Sequence, residues 1–292
     1  VSPPGPDLTL DDLRRFFTNP ARALLDHLDI ALPFDVDPPR NDIPISPDAL
    51  ERWAVGDHVV GAVLDGSTPD AVITAELHRG SLPPGDLGVA ALRDIAGSAQ
   101  QVVNQALGLR TGEPVTTDVT LELGAGRRLT GRVPELYGDT LVRVSYSRLN
   151  AKHALGLWLD LLALQATEPG FEVRGVMVAK DRLGRIKPVD PELARATLAR
   201  WAAVRHDGLQ GLCHLPLETG HAWALGRGNR SVAWKNAMKK WQWDKFRPER
   251  DDPAWTHFLG PRADLSRLSD LERLADDVWR DLVAFEQGWF VR

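Results

Sequence analysis

A single cysteine, Cys213, stands in 292 residues. Without a second thiol there is no internal disulfide framework, and the chain suits a reducing compartment. No CxxC occurs, so a zinc knuckle has no ligands. Cys213 lies in the apolar run GLCHLPL, where the expected role is a small buried residue. No apolar run approaches the roughly 18 residues of a membrane span. The opening VSPPGPDLTL has no basic n-region and no apolar h-region, so it reads as a linker and not as a signal peptide. The expected location is cytoplasmic, with no membrane partner. His78, His153, His206, His214, His221 and His257 form no HExxH or similar ligand spacing. GEP, GAGR and GRGN contain glycines, but none is a Walker loop or a dinucleotide fingerprint. No cofactor and no metal is expected.

What is present is an ordinary globular composition. With 43% hydrophobic and 26% charged residues, the chain can bury a core and is not a disordered tail. The net charge of −5 argues against a general polyanion binder. The charge is uneven, however. Residues 227–250 hold eight Lys and Arg against Asp244 and Glu249, a local +6, so the rest of a chain at −5 overall carries −11.

The pattern of elements is legible. LTLDDLRRFF predicts a helix with Thr9 as N-cap and Asp11 and Asp12 in its first turn. Leu13, Phe16, Phe17, Leu24, Leu25 and Leu28 fit one apolar face. Asn19-Pro20 restarts the helix, with Asn as cap and Pro at the first helical position. The proline-rich residues 33–47 read as a surface loop. Ser46 then caps a helix through SPDALERWAVGDHVVGAVL, RGSLPPGDLG is a second loop, and 86–107 is a third helical segment. PVTTDVTLEL, RRLTGRVPEL and TLVRVSYS make three strands in a row, the last two joined through Tyr137-Gly138-Asp139: an antiparallel meander. AKHALGLWLDLLALQA is an apolar helix starting near Asn150. FEVRGVMVAK is a strand that turns at Gly184 into a short partner, and the last third is mostly helical. Helix, three strands, helix, strand is the core order of the restriction-endonuclease-like fold.

That order raises the question of a nuclease site. RecB-type nucleases carry Gly-x-x-Asp on one strand and Asp-Tyr-Lys on the next, the carboxylates for a divalent metal and the lysine for the attacked phosphate. This sequence reads Gly131-Arg132-Val133-Pro134 and Ser145-Tyr146-Ser147. The framework residues match and the chemical residues do not. Pro134, Ser145 and Ser147 bring no charge to a hard dication. Glu135 is the obvious migrated acid, but strand alternation aims it at the opposite face. Asp139 reads as turn chemistry and Lys152 as a solvated helix position. His153 reads as a helix-start or surface residue near the former pocket.

LTLDDLRRFFTNPARALLDHL, IPISPDALERWAVGDHVV, ELHRGSLPPGDLGVAAL and ERDDPAWTHFLG, in that order and with the degenerate strand pair, resemble the C-terminal region of RecC. RecC is the gamma subunit of exodeoxyribonuclease V, the RecBCD complex. The resemblance implies an α+β fold: a degenerate, RecB-nuclease-like core with a meander in a mixed sheet and helical additions at both ends. It implies a single domain over 1–292, with a helical part about 7–107, the degenerate core about 86–188 and a helical part about 189–292. It further implies no catalytic activity, RecB-like and RecD-like subunits as partners, and DNA guided through the complex.

The basic stretch GRGNRSVAWKNAMKKWQWDKFRPER adds candidate nucleic-acid contacts at Arg227, Arg230, Lys235, Lys239 and Lys240. Trp234, Met238 and Trp241 are spaced i, i+4 and i+7, which predicts a core stripe with the lysines on the wet side. Two other functions fit the sequence: an active metal-dependent nuclease with a migrated acidic site, and a pure subunit-docking domain.

Overall fold

A computed structural model describes residues 7–32, 47–79, 82–83, 85–124, 126–226, 228–245 and 247–287. Most of the expected linker and the loop expected over 33–47, Pro47 apart, lie outside the described residues.

The chain begins with β1 (Leu8–Thr9) and α1 (Leu10–Thr18), joined by a reciprocal cap in which the Asp12 N–H donates to the Thr9 hydroxyl at 3.0 Å and the Thr9 N–H donates to the Asp12 carboxylate at 3.0 Å. Asn19 caps α2 (Pro20–His27) by accepting from the Arg22 N–H. Leu13, Phe16, Phe17, Leu24 and Leu25 are buried as the period requires; Leu28 is not, being 51% exposed past the helix end, where α2's period no longer governs it. Then come α3 (Ala49–Leu64), α4 (Pro69–Arg79) and α5 (Asp86–Leu107). The cap of α3 is Asp48, which accepts from Leu50 and Glu51 N–H groups, while Glu51 returns a bond to the Asp48 N–H. The expected cap, Ser46, lies outside the described residues.

The meander is β2 (Val115–Glu122), β3 (Arg128–Tyr137) and β4 (Thr140–Ser145). Helix α6 (Ala151–Thr167) crosses to β5 (Arg174–Ala179), which runs parallel to β4, and β6 (Leu183–Ile186) returns antiparallel. Gly184 is not the turn: it lies within β6, opposite Met177. Next are α7 (Pro191–Gly208), α8 (Leu217–Leu225), α9 (Arg230–Trp241), α10 (Pro253–Leu259) and α11 (Leu271–Phe285), and β7 (Glu286–Gln287) adds an edge to β6. The hydrogen-bonded path through the mixed sheet is β1-β3-β4-β5-β6-β7, with β1 and β4 meeting opposite ends of β3 and β2 pairing along its length off that path.

Strand alternation divides the apolar residues between two cores. One face of the sheet, with Leu129, Val133, Leu141 and Met177, packs under α1, α6, α7, α8 and α11. The other, with Tyr137, Val142 and Val178, packs under α3 and α5; Val144 joins Val142 on that side, as its alternation predicts. Two glycines allow close approaches. A Cβ at Gly131 would meet Leu10 at 2.8 Å, and one at Gly56 would meet the Tyr146 ring at 1.9 Å. So the framework residues Gly131 and Tyr146 fix α1 and α3 on opposite faces of the strand pair.

Candidate functional site

A cleft of about 450 Å³ opens between β3, β4 and the start of α6. Pro134 and Ser145 line it together, as the paired strand positions should. Ser147 does not: its hydroxyl accepts from the Trp53 indole of α3 at 2.8 Å, because β4 has ended and the chain has turned away.

Glu135 corrects the sequence reading. It lines the cleft rather than facing away. Val115 pairs with Leu136 and Thr117 with Val133, so β3 sets Pro134 and Glu135 against the single residue Thr116. This is a β-bulge, and Glu135 sits in it with a left-handed φ of 62°. The extra residue resets the alternation and turns an acid into the cleft that a regular strand would have sent outward.

A second acid, Asp160, reaches the cleft from α6, its side chain only 5% exposed. Neither carboxylate is free. Arg14 donates to Asp160 Oδ1 at 2.6 Å, and Arg143 donates from Nη2 to Oδ2 at 2.7 Å and from Nε at 3.2 Å. Arg143 Nη1 also donates to the Pro134 carbonyl at 2.8 Å and to Glu135 at 3.4 Å. Arg110 takes the other Glu135 oxygen at 2.5 Å. Three guanidiniums thus hold two carboxylates. A divalent cation would have to displace Arg14 or Arg143 from a buried acid that depends on them for its countercharge. Lys152 lies at the mouth of the cleft, exposed as expected. His153 is more enclosed than a surface residue: its Nδ1 is buried, and burial lowers its pKa, with Lys152 adding to the effect. Among the described residues no three His, Cys, Asp or Glu side chains converge as a metal site. The donor set does not fit a divalent ion.

The basic stretch is less uniform than its sequence. Arg227 lies outside the described residues. Arg230 pairs with Glu272 at 3.4 Å, and Lys240 with Glu218 at 3.2 Å. Lys235 and Lys239 are exposed on α9. The expected tryptophan stripe is half wrong. Trp241 is fully buried, and its indole donates to the Ala263 carbonyl at 2.9 Å. Met238 is partly buried against the core, but Trp234 is 41% exposed, with only an edge-on contact to Trp223 at 6.1 Å. The buried line of α9 is Ala233, Ala237 and Trp241, at i, i+4 and i+8. Small residues let α9 lie close to α8, where a Cβ at Gly226 would strike Ala233 at 2.4 Å. That close approach rotates Trp234 to the flank.

Sequence reasoning passed over Arg14, Arg143 and Asp160. The available signal was Asp160 itself, a lone acid in the apolar run LGLWLDLLAL, which has to be paired when buried.

The sequence model of the RecC C-terminal domain matches residues 5–228. The chain belongs to that family. It is 36% identical over 286 residues to the RecBCD enzyme subunit RecC of Mycobacterium tuberculosis (strain ATCC 25618 / H37Rv), which covers 95% of this chain and 26% of that protein. It is 39% identical over 235 residues to the subunit of the same name from Mycolicibacterium smegmatis, covering 78% of this chain and 21% of that protein. Against RecC of Escherichia coli (strain K12) the identity is 24% over 218 residues. The chain therefore spans about a quarter of the length of these RecC relatives. Among the described residues no helix is long and apolar enough to cross a membrane.

Proposed function

We propose that the chain is a non-catalytic scaffold and DNA-guiding domain of a RecBCD-type helicase–nuclease acting in double-strand-break repair in the cytoplasm. Its partners are RecB-like and RecD-like subunits and the DNA they process. The core from about 86 to 188 is a degenerate restriction-endonuclease-like unit, flanked by the helical parts about 7–107 and 189–292 of one domain. The observation that supports this best is Asp160 held between Arg14 and Arg143. A nuclease site needs carboxylates free to bind a metal; here guanidiniums occupy that place and turn the acids into structural countercharges.

The bulge favours one competing reading, an active nuclease with a migrated acidic site, because it brings Glu135 towards Asp160 with Lys152 nearby. Incubating the full chain with end-labelled single-stranded and duplex DNA in Mg²⁺ and in Mn²⁺ separates the two. The proposed function gives no cleavage in either metal and retarded DNA at low salt. Cleavage lost in Asp160→Asn would establish the nuclease instead. Binding to partner subunits with none to DNA would make this a docking domain.

A further inference from the structure

Strand β2 forms an edge of the sheet. Leu136 pairs with Val115 on β2 and Leu141 on β4, and Leu129 pairs with Leu121 on β2 and Leu8 on β1. So β1 and β4 share one side of β3, and β2 takes the other. No described residue pairs with the far side of β2. The hairpin into β3 fixes which backbone groups that side presents. The Leu123 N–H donates to the Arg127 carbonyl at 2.9 Å, so Leu123, and with it Leu121 and Val119, aim their N–H and C=O groups at β3. Asp118, Thr120 and Glu122, at the alternate positions, aim theirs outward. From Thr117 to Glu122 the pairing with β3 is one to one, and β2 has no proline, lysine or bulge of its own to blunt the edge. Five of its eight residues are valine or threonine, which keeps it extended and ready to pair.

The side chains decide what kind of strand fits. Val119 and Leu121 are buried in the core, while Asp118, Thr120 and Glu122 stand on the solvent face. Asp118 pairs with Arg132 at 2.9 Å. Glu122 stands across from Arg128, but Asp7 already holds Arg128 at 2.5 Å. Three acids against two guanidiniums leave this face negative. An arriving strand sets one residue beside each outward position, and a cation beside Asp118 or Glu122 is attracted where an acid is repelled. A second copy of β2 would bring its own two acids opposite or diagonal to these, so self-pairing is disfavoured. We propose that the β2 edge receives an extended segment of a partner polypeptide as an added strand, with lysine or arginine four residues apart on its outer face. Its backbone bonds to the outward groups of Asp118, Thr120 and Glu122, and its cations sit beside the two acids. This rests on the subunit-binding function above and gives it a surface and a partner chemistry.

The test is residue-resolved amide hydrogen exchange of the full chain with a capped heptapeptide of alternating lysine and valine. In the free chain the Val119 and Leu121 amides are protected and those of Asp118, Thr120 and Glu122 exchange freely. The peptide slows the outward amides about ten-fold or more and leaves the inward ones unchanged. Thr120→Pro gives up no bond to β3 but blocks the edge, and it weakens binding of the labelled peptide, read by fluorescence anisotropy, about ten-fold or more. Asp118→Lys/Glu122→Lys reverses the preference, from the lysine–valine peptide to a glutamate–valine one. No peptide binding, or binding that leaves the outward amides unprotected, overturns the edge site. Indifference to the charge reversal overturns the basic partner. Mixing the full chain with RecB-like and RecD-like subunits separates the site from the function it rests on. Assembly with the outward amides still exchanging freely overturns the edge and leaves the subunit role standing. No assembly, with the peptide still protecting the edge, removes the subunit role and supports the strand-binding site.

Discussion

His221 on helix α8 and Glu249, which bonds to the start of that helix, pull stability in opposite directions as they titrate. His221, buried against Trp279, is lowered from 6.5 to about 3 because the enclosed ring resists a charge, and Lys240 adds to the effect. Glu249, beneath the start of α8, is raised from 4.5 to about 7 by burial, with hydrogen bonds from Thr219 and Glu218 opposing the shift. The folded chain binds the His221 proton less tightly than the unfolded chain does. Its contribution is therefore full above pH 6.5 and is lost as pH falls. The folded chain binds the Glu249 proton more tightly, so that contribution is full below pH 4.5 and is lost as pH rises through 7. Between pH 8 and pH 5, Glu249 adds about 2 kcal/mol and His221 removes about 2 kcal/mol, at roughly 1.4 kcal/mol per unit of displacement. The two nearly cancel. Glu249→Gln removes one of them. Gln still offers its carbonyl to α8, and any loss from its amide is independent of pH. Urea unfolding of both proteins from pH 8 to pH 5 should give a difference curve in which the variant falls behind by about 2 kcal/mol towards pH 5. His153 and His214, also lowered by burial, share the sign of His221 and cancel in the subtraction. The lowered Asp12, Asp139 and Asp264 act below 3.8, outside the window. A flat difference curve, or one in which the variant gains towards pH 5, would refute the reasoning.

Other outcomes follow from packing and pairing. Asp160→Asn removes the countercharge that Arg14 and Arg143 share, and because Arg14 keeps Asp11 and Arg143 keeps Glu135, it should cost about 1–3 kcal/mol in urea unfolding. Trp241→Ala opens a core cavity and should cost about 3–5 kcal/mol, whereas Trp234→Ala should cost roughly 1 kcal/mol or less in the same assay. Pro134→Asp/Ser145→Asp/Ser147→Lys, which rewrites the nuclease motif, should not cleave labelled DNA in Mg²⁺. Position 147 points to Trp53 rather than into the cleft, and the arginines remain.

The longer strands and helices were readable because apolar period and cap chemistry agreed. Thr9, Asn19 and Asn150 each cap the helix that follows, as their side chains suggest. Helix α4 was missed although Thr68-Pro69-Asp70 carries a start signal, because its apolar period is weak and only Val72 and Glu76 are buried. β7 was missed because two residues give no alternation to read. Within the cleft, the residue types at Pro134 and Ser145 were legible, while Glu135 depended on a bulge, for which Pro134 was the one local signal and was read as a strand end or edge instead. The arginine contacts join Arg14, Arg143 and Asp160 from three separate elements with Arg110 from the loop after α5, and were visible only once the chain had folded. Trp234 failed because helical spacing gives a face but not the distance to the neighbouring helix, and the small residues of α9 set that distance.

We propose that guanidiniums hold the carboxylates of this cleft in place of a metal ion. Mn²⁺ titration followed by electron paramagnetic resonance, on the chain and on Arg14→Met/Arg143→Met, tests it most directly. The account predicts free-ion signal throughout for the unaltered chain, with any Mn²⁺ uptake appearing only when the two arginines are gone. Stoichiometric Mn²⁺ binding by the unaltered chain, abolished by Asp160→Asn, would contradict it.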